Sequence, residues 1–493
     1  MRTPSGYERL SVLDNVFLLA ETPSVHMHVA AIQIFEAGGV PNVDGGIHAE
    51  EFKRRVRAVI HLFPRCRQRL RWTPVEHHPV WVDHDGFDLD DHVQIASLPR
   101  PGTDAQLKLL CASILETQLD RGRPLWEIWL IEGLARDRFA ILCKFHHCMI
   151  DGAGGADLMS VLLSPTRDPQ TPEPRPYVPR PLPSSWNLLR DSMSRLGDLP
   201  FKFAHDVARF AMDTIDIRHD LAMRLVALGR LVGWAMESAS DSPLNGILTS
   251  HRRFDWLRLS LSDVRAVRSA AGCSLNDVVL AVVAGALRRF LIHRGDAPAL
   301  DFRISAPVNV RRPGDPDSSA NRVSAWILRL PLEDADAKSR LATIHDATRT
   351  LKESRSALGV EMMLEAAEWL PPRLLSLGVG LASGPMNMIV TNIPGPRLPL
   401  YMLGARLEAI YPFVPLLEQN GLGIALFSYD GSLCWGFTGS YELVPDLRAF
   451  VQMVHDSFDE LAAAFGVGLS AAEKDGPETS AEICGSSVGV EAR

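Results

Sequence analysis

Two adjacent histidines, His146 and His147, are followed at a short interval by Asp151 and Gly152 in the stretch Phe145-His146-His147-Cys148-Met149-Ile150-Asp151-Gly152. An imidazole with its ordinary pKa of about 6.5 is largely neutral at pH 7, so it can take a proton from a hydroxyl and pass it on. Asp151 can hydrogen-bond and charge-balance a turn, and Gly152 supplies the backbone freedom of a sharp exit. The apolar run 139–144 before the pair reads as a buried strand, and Ala156 to Leu163 behind it as a helix. The pair therefore sits where a strand ends and a turn begins. Strand side chains alternate faces, so one histidine can face a reaction channel while the other packs. Two core histidines beside a turn aspartate is the alternative reading.

The elements that must position this turn can be read along the chain. Residues 25–35 look like a strand, in which His26 and His28 lie two apart on one face. That spacing suits a metal pair, but no Cys, Asp or further His has ligand spacing nearby. Residues 48–63 read as a helix with a basic face (Lys53, Arg54, Arg55, Arg57), either solvated or attractive to phosphates. Residues 81–92 are acidic without the spacing of a calcium loop. Residues 104–119 form an amphipathic helix, and Pro124-Leu125-Trp126 opens a strand that pairs with the one before His146. Residues 164–185 are proline-rich and predict an extended linker. Residues 186–239 read as a helical connector, either packed or serving as a lid or peripheral membrane patch.

In the second half, Ser274-Leu275-Asn276-Asp277 is a helix start before a buried helix over 278–291. Strands are expected at 304–310, 324–330, 385–392, 422–429 and 433–438. Pro394-Gly395 signals a type II turn and Asp430-Gly431 a hairpin. The tail from about residue 467 is small and polar, with the character of a disordered segment. Its Gly485-Ser486-Ser487-Val488-Gly489 mimics a hydrolase elbow but lacks the strand and helix that such an elbow needs.

The chain has 493 residues, enough for two lobes. A net charge of −8 with no basic block argues against a general nucleic-acid binder. The seven cysteines are scattered and odd in number, with no C-x-x-C, which indicates neither a disulfide scaffold nor a zinc ribbon and fits a cytoplasmic protein. Neither a secretory signal nor an uninterrupted apolar span is visible, so any membrane contact is expected to be peripheral. Alternating strands and helices in both halves predict two α/β lobes: 1–163 and 250–466, joined by 164–249 and followed by the tail 467–493.

H-H-x-x-x-D-G is the active-site motif of the CoA-dependent acyltransferase superfamily, and further landmarks narrow the likeness. Met27-His28-Val29, Pro124-Leu125-Trp126, Asn276-Asp277-Val278-Val279, Asn321-Arg322 and Asn392-Ile393-Pro394-Gly395-Pro396 together resemble the bacterial wax ester synthase/acyl-CoA:diacylglycerol acyltransferase family, from about Leu10 to Leu461. Thr391, Gly423 and Ser440 depart from the family pattern, which has Ser, Asn and Asp there. The resemblance implies two chloramphenicol-acetyltransferase-like lobes with mixed sheets flanked by helices and a tunnel between them.

It implies transfer of a fatty acyl group from a long-chain acyl-CoA to diacylglycerol or a fatty alcohol, with His147 as general base. His146, Asp151 and Gly152 would shape the site, Asp151 facing an arginine. Pro124, Leu125 and Trp126 would line the acyl channel or simply pack. Asn276 and Asp277 would shape the site or cap a helix. Thr391 or Asn392 would donate to the oxyanion. Neither a metal nor a cofactor is implied, acyl-CoA being a substrate. A membrane or lipid-droplet surface is an expected partner. The same chemistry on another alcohol, and a non-catalytic lipid-binding role, are the alternatives.

Overall fold

The structure, a computed structural model, describes residues 6–36, 49–150, 161–167, 172–194, 242–298, 301–309, 323–353 and 386–470. Asp151, Gly152, Asn321, Arg322, most of the helical connector and the tail beyond residue 470 lie outside them. In chain order the elements are β1 (Tyr7–Arg9), α1 (Val12–Ala20), β2 (His28–Glu36), α2 (Ala49–Val59), β3 (Gln68–Trp72), β4 (Pro79–Asp83), β5 (Val93–Ser97), α3 (Asp104–Leu115), β6 (Trp126–Leu134), β7 (Arg138–His146) and β8 (Arg252–Ser260). Then follow α4 (Leu261–Ala271), α5 (Leu275–His293), β9 (Phe302–Asn309), β10 (Val323–Leu330), α6 (Ala337–Glu353), β11 (Met388–Ile393), β12 (Tyr401–Met402), β13 (Ala405–Phe413), β14 (Leu422–Tyr429), β15 (Ser432–Ser440) and α7 (Leu447–Ala464).

Two mixed six-stranded sheets form the lobes, with order β12-β13-β2-β7-β6-β5 and β10-β9-β11-β14-β15-β8. The expected class, two α/β lobes with mixed sheets flanked by helices, is the one found. The chain does not fill them in sequence, however. β13 belongs to the second half, yet it pairs antiparallel with β2 of the first, Phe413 opposite Ala30. The two sheets then meet closely: a Cβ on Gly436 of β15 would lie 1.7 Å from the Pro412 carbonyl of β13. Only glycine permits that approach.

In the second lobe, α5 is the core helix. Val278 through Leu287 are buried, and α6 and α7 pack beside it. Apolar residues on all sides of a helix mean burial on all sides. No single helix among the described residues is long and apolar enough to cross a membrane.

A third, small sheet β1-β4-β3 stands at the first lobe. Trp81 and Leu70 on its inner face share a cluster with Leu18, Leu125 and Cys148, next to the histidine pair. The proline-rich segment lies along this sheet rather than free in solvent. Arg180 pairs with Asp83, Tyr177 donates to the Arg67 carbonyl, and the Arg71 guanidinium donates to Pro183 O.

Three local expectations shift. α3 stops at Leu115 instead of 119, because the buried Lys144 ammonium takes the carbonyls of Ile114 and Thr117 at 3.0 and 2.6 Å. β7 runs on through His146, because β2 still pairs with it there. Gly395 does not make a type II turn, which would require a positive φ. It is needed for a close approach instead: a Cβ would meet Ser428 O at 2.2 Å, and its N–H donates to Ser428 Oγ.

Candidate active site

The histidine pair divides at the end of β7. His146 is the last residue of the strand and sits opposite His28 of β2 in register. Its ring is 1% exposed. Nδ1 accepts the Cys148 backbone N–H at 3.1 Å, so the proton belongs on Nε2, which faces the Glu21 carboxylate at 3.5 Å. The His146 backbone N–H donates to Leu125 O and its carbonyl accepts from Met149, closing a tight turn. His147 goes the other way. It is half-buried, its N–H donates to Met27 O at 2.8 Å, and its ring stacks on Phe17 of α1 at 3.9 Å and 15°. A flat stack fixes the plane of the imidazole and leaves its edge to meet a substrate.

Glu21 lies just past the C-terminal end of α1, and its side chain is 3% exposed. One oxygen, Oε1, lies between two imidazoles, 3.5 Å from His146 Nε2 and 3.6 Å from His28 Nε2. The other is clamped by Arg121, from Nη2 at 2.6 Å and Nε at 3.2 Å, while the same guanidinium donates to Leu18 O. Burial alone would raise the pKa of this carboxyl. His146 and Arg121 outweigh it and hold the value at about 2. Burial, with Lys144 and His146 nearby, pushes His28 well below its ordinary value, so it is neutral. Its Nε2 lies 3.4 Å from the Leu119 backbone N as well as facing Glu21 Oε1. The cluster thus ties α1, β2, β7 and the segment before β6 into one support behind the histidine turn.

The second lobe contributes the end of β11. Met149 and Ile150 of the turn share an apolar cluster with Ile393 and Phe427, which brings the strand end to the histidine side. Thr391 and Asn392 are half-buried there, and Asn392 Nδ2 donates to Asn276 Oδ1 at 3.4 Å. Asp277 points elsewhere. It accepts from the Ser274 N–H, from Thr348 Oγ1 at 2.7 Å and from His345 Nδ1 at 2.8 Å, with Ser274 completing a capping box on α5. Burial opposes its ionisation, and these bonds together pull its pKa down.

A family profile described as the wax ester synthase/diacylglycerol acyltransferase catalytic domain matches residues 10–279, and the corresponding C-terminal domain matches 319–462. The chain belongs to the wax ester synthase/diacylglycerol acyltransferase family. A Mycobacterium tuberculosis protein named as a diacylglycerol O-acyltransferase is 32% identical, over 93% of this chain and 90% of that protein. A second from the same species, also so named, is 31% identical over 92% of this chain and 96% of its own. The solved wax ester synthase/diacylglycerol acyltransferase of Marinobacter aquaeolei matches in fold with a TM-score of 0.65 at 24% identity, covering 93% of this chain and all of that one. A starter condensation domain of rhizomide synthetase, solved with C8-CoA, has a TM-score of 0.58 at 15% identity over 94% of this chain and 96% of its own. Both are two-lobed relatives in fold.

Among the residues that the family motifs single out, Leu125 and Trp126 are buried in the described structure. Trp126 Nε1 donates to Cys66 O at 2.8 Å, its ring stacks on His92, and Leu125 O holds the His146 backbone. Asn276 meets Asn392, whereas Asp277 is committed to the helix cap. Sequence reading missed Glu21, Arg121 and Phe17. The signal available for Glu21 was a charged residue directly after an apolar helix and seven positions before His28, which is weak without the strand register.

Proposed function

We propose that this acyltransferase moves a long-chain acyl group from acyl-CoA to diacylglycerol, and also to long-chain fatty alcohols, with His147 as general base. The observation that carries the reading is the division of the pair: His146 is buried and locked, and His147 is half-buried and held flat on Phe17. The imidazole of His147 takes the hydroxyl proton as the alcohol oxygen attacks the thioester carbonyl. A carbon–oxygen bond forms and the carbonyl electrons move onto oxygen. Collapse of that oxyanion breaks the carbon–sulfur bond, and the departing thiolate takes the proton back from the imidazolium. Proton and electrons balance among the two substrates and the imidazole.

Asn392, oriented by Asn276, is the proposed oxyanion donor, with Thr391 beside it. Asp151 and Gly152 keep in this reading the site-shaping role that the family motif implies. Pro124, Leu125 and Trp126 form the wall behind it, bordering the acyl end of a tunnel between the lobes. The names of the mycobacterial relatives favour diacylglycerol as acceptor, and the family name keeps fatty alcohols beside it. Both acceptors are water-insoluble, so the protein meets them at a membrane or lipid-droplet surface on the cytoplasmic side.

The test is release of CoA thiol from palmitoyl-CoA by the purified full chain, with diacylglycerol, with hexadecanol and with neither. Release is expected to depend on the acceptor. A folded His147→Ala variant should lose about 10²- to 10⁴-fold in kcat. Equal release by the variant would remove His147 as base. No release with either acceptor would point to another alcohol.

A further inference from the structure

A small cavity of about 30 Å³, partly open to solvent, lies between the lobes, beside His28 of the Glu21 cluster. Its polar lining comes from His26 and His28 beside β2, Arg252 of β8 and Thr438 of β15, and Phe254 and Phe413 supply apolar wall. The space suits one or two water-sized particles and is far too small for an acyl chain or pantetheine arm.

His26 Nε2 is taken by the Pro23 carbonyl, whereas Arg252, His28 and Thr438 keep unused hydrogen-bonding capacity. The Arg252 guanidinium spends hydrogen bonds on carbonyls, Nη1 on Thr249 and His251 and Nη2 on Ser24, which leaves two of its five N–H groups. Among the described residues no carboxylate stands within ion-pair distance of it. Glu116 and Glu442 act only from further off, Glu116 being engaged by the Arg252 backbone N–H, and burial lowers the guanidinium pKa to about 10. His28, its side chain 3% exposed, has no hydrogen-bond partner at Nδ1. Thr438 is 2% exposed, and its hydroxyl also has none. Its cross-strand neighbours cannot supply one, because they are Gly423 and Phe254. A Cβ on Gly423 would meet Val414 Cγ2, part of the cavity wall, at 2.8 Å. Buried polar groups in folded proteins nearly always find partners. Donors without an acceptor, around a cation, call for a negative particle.

We infer that this cavity is a binding site for one small monovalent anion of the chloride class, held by Arg252 and Thr438 beside His28. Such an ion would compensate the guanidinium and accept the orphan Thr438 hydroxyl at once. It would also bear on the active site, because His28 faces the same Glu21 oxygen as His146.

The experiment is thermal unfolding of the full chain at fixed ionic strength, titrating sodium chloride or bromide against sodium gluconate, whose anion is too large to enter. A saturable rise in Tm of about 1–3 °C at ten times Kd is expected with the halides. Thr438→Val keeps the side-chain shape and removes one donor, and it should fold and lose most of the rise. Arg252→Gln should abolish it, and Thr438→Val decides the question if that variant does not fold. Crystals grown in bromide should show an anomalous peak in the cavity. Equal Tm in halide and gluconate with no bromide peak, which leaves ordered water only, overturns the proposal. So does a halide effect that Thr438→Val leaves unchanged. Neither readout depends on acyl transfer.

Discussion

Glu21 stands where one buried charge restrains three partners. Its carboxyl pKa of about 2 lies below the ordinary 4.5. A group with a depressed folded value stabilises the protein above its unfolded pKa, and that contribution is lost as pH falls towards the folded one. The difference corresponds to about 3 kcal/mol, present above pH 4.5 and lost between there and pH 2. Glu21→Gln should therefore be less stable than the parent at pH 7, and its stability should fall less steeply on acidification across that window. Urea unfolding at a series of pH values measures both, and parallel curves would remove Glu21 as the acid-sensitive group. At this scale the sequence was legible only where residues are contiguous. His146 and His147 could be read because the turn they share is local, and their divergence follows from strand alternation. Glu21 is 125 positions from His146, and the β2–β7 register is what joins them. Phe17 reads from sequence as one more apolar residue of α1, and only the fold makes it the floor under His147.

Helix α5 shows how neighbours in one motif can part ways, Asn276 facing Asn392 and Asp277 held by the helix start. Asp277 sits in a family-like segment beside Asn276, yet its oxygens are taken by the helix start and by α6 through His345 and Thr348. Asp277→Ala would leave those donors buried and the cap undone. It should cost about 2–4 kcal/mol of stability by urea unfolding, while kcat of the folded fraction stays within about twofold. A tenfold loss of kcat at unchanged stability would return Asp277 to the site. Most elements were readable from apolar periodicity and turn residues. The hairpin at Asp430-Gly431 is an example, since both residues adopt the positive φ its turn demands. The end of α3 was not, because Lys144, a charged residue in a central strand, truncates the helix from outside.

Across the whole molecule, strand exchange fastens the lobes. β13 completes the first sheet and presses its Pro412 carbonyl against Gly436 in the second. Gly436→Ala would force the sheets apart and should cost about 2–3 kcal/mol, read as a lower Tm with both lobes unfolding together. Independent unfolding of the lobes in calorimetry would show that the contact does not couple them. Two lobes could be inferred from alternating strands and helices. Which sheet β13 joins could not, because pairing between strands hundreds of residues apart leaves no local trace. The exchange also dictates an order of events during synthesis. When the ribosome has made the first half of the chain, β2 still presents a bare edge, and His28, on that strand, backs the histidine turn. That edge stays open until residue 413 has emerged. Such an unpaired edge invites other nascent chains, so the rate at which the intervening residues are translated bears directly on how much of this enzyme reaches its working form.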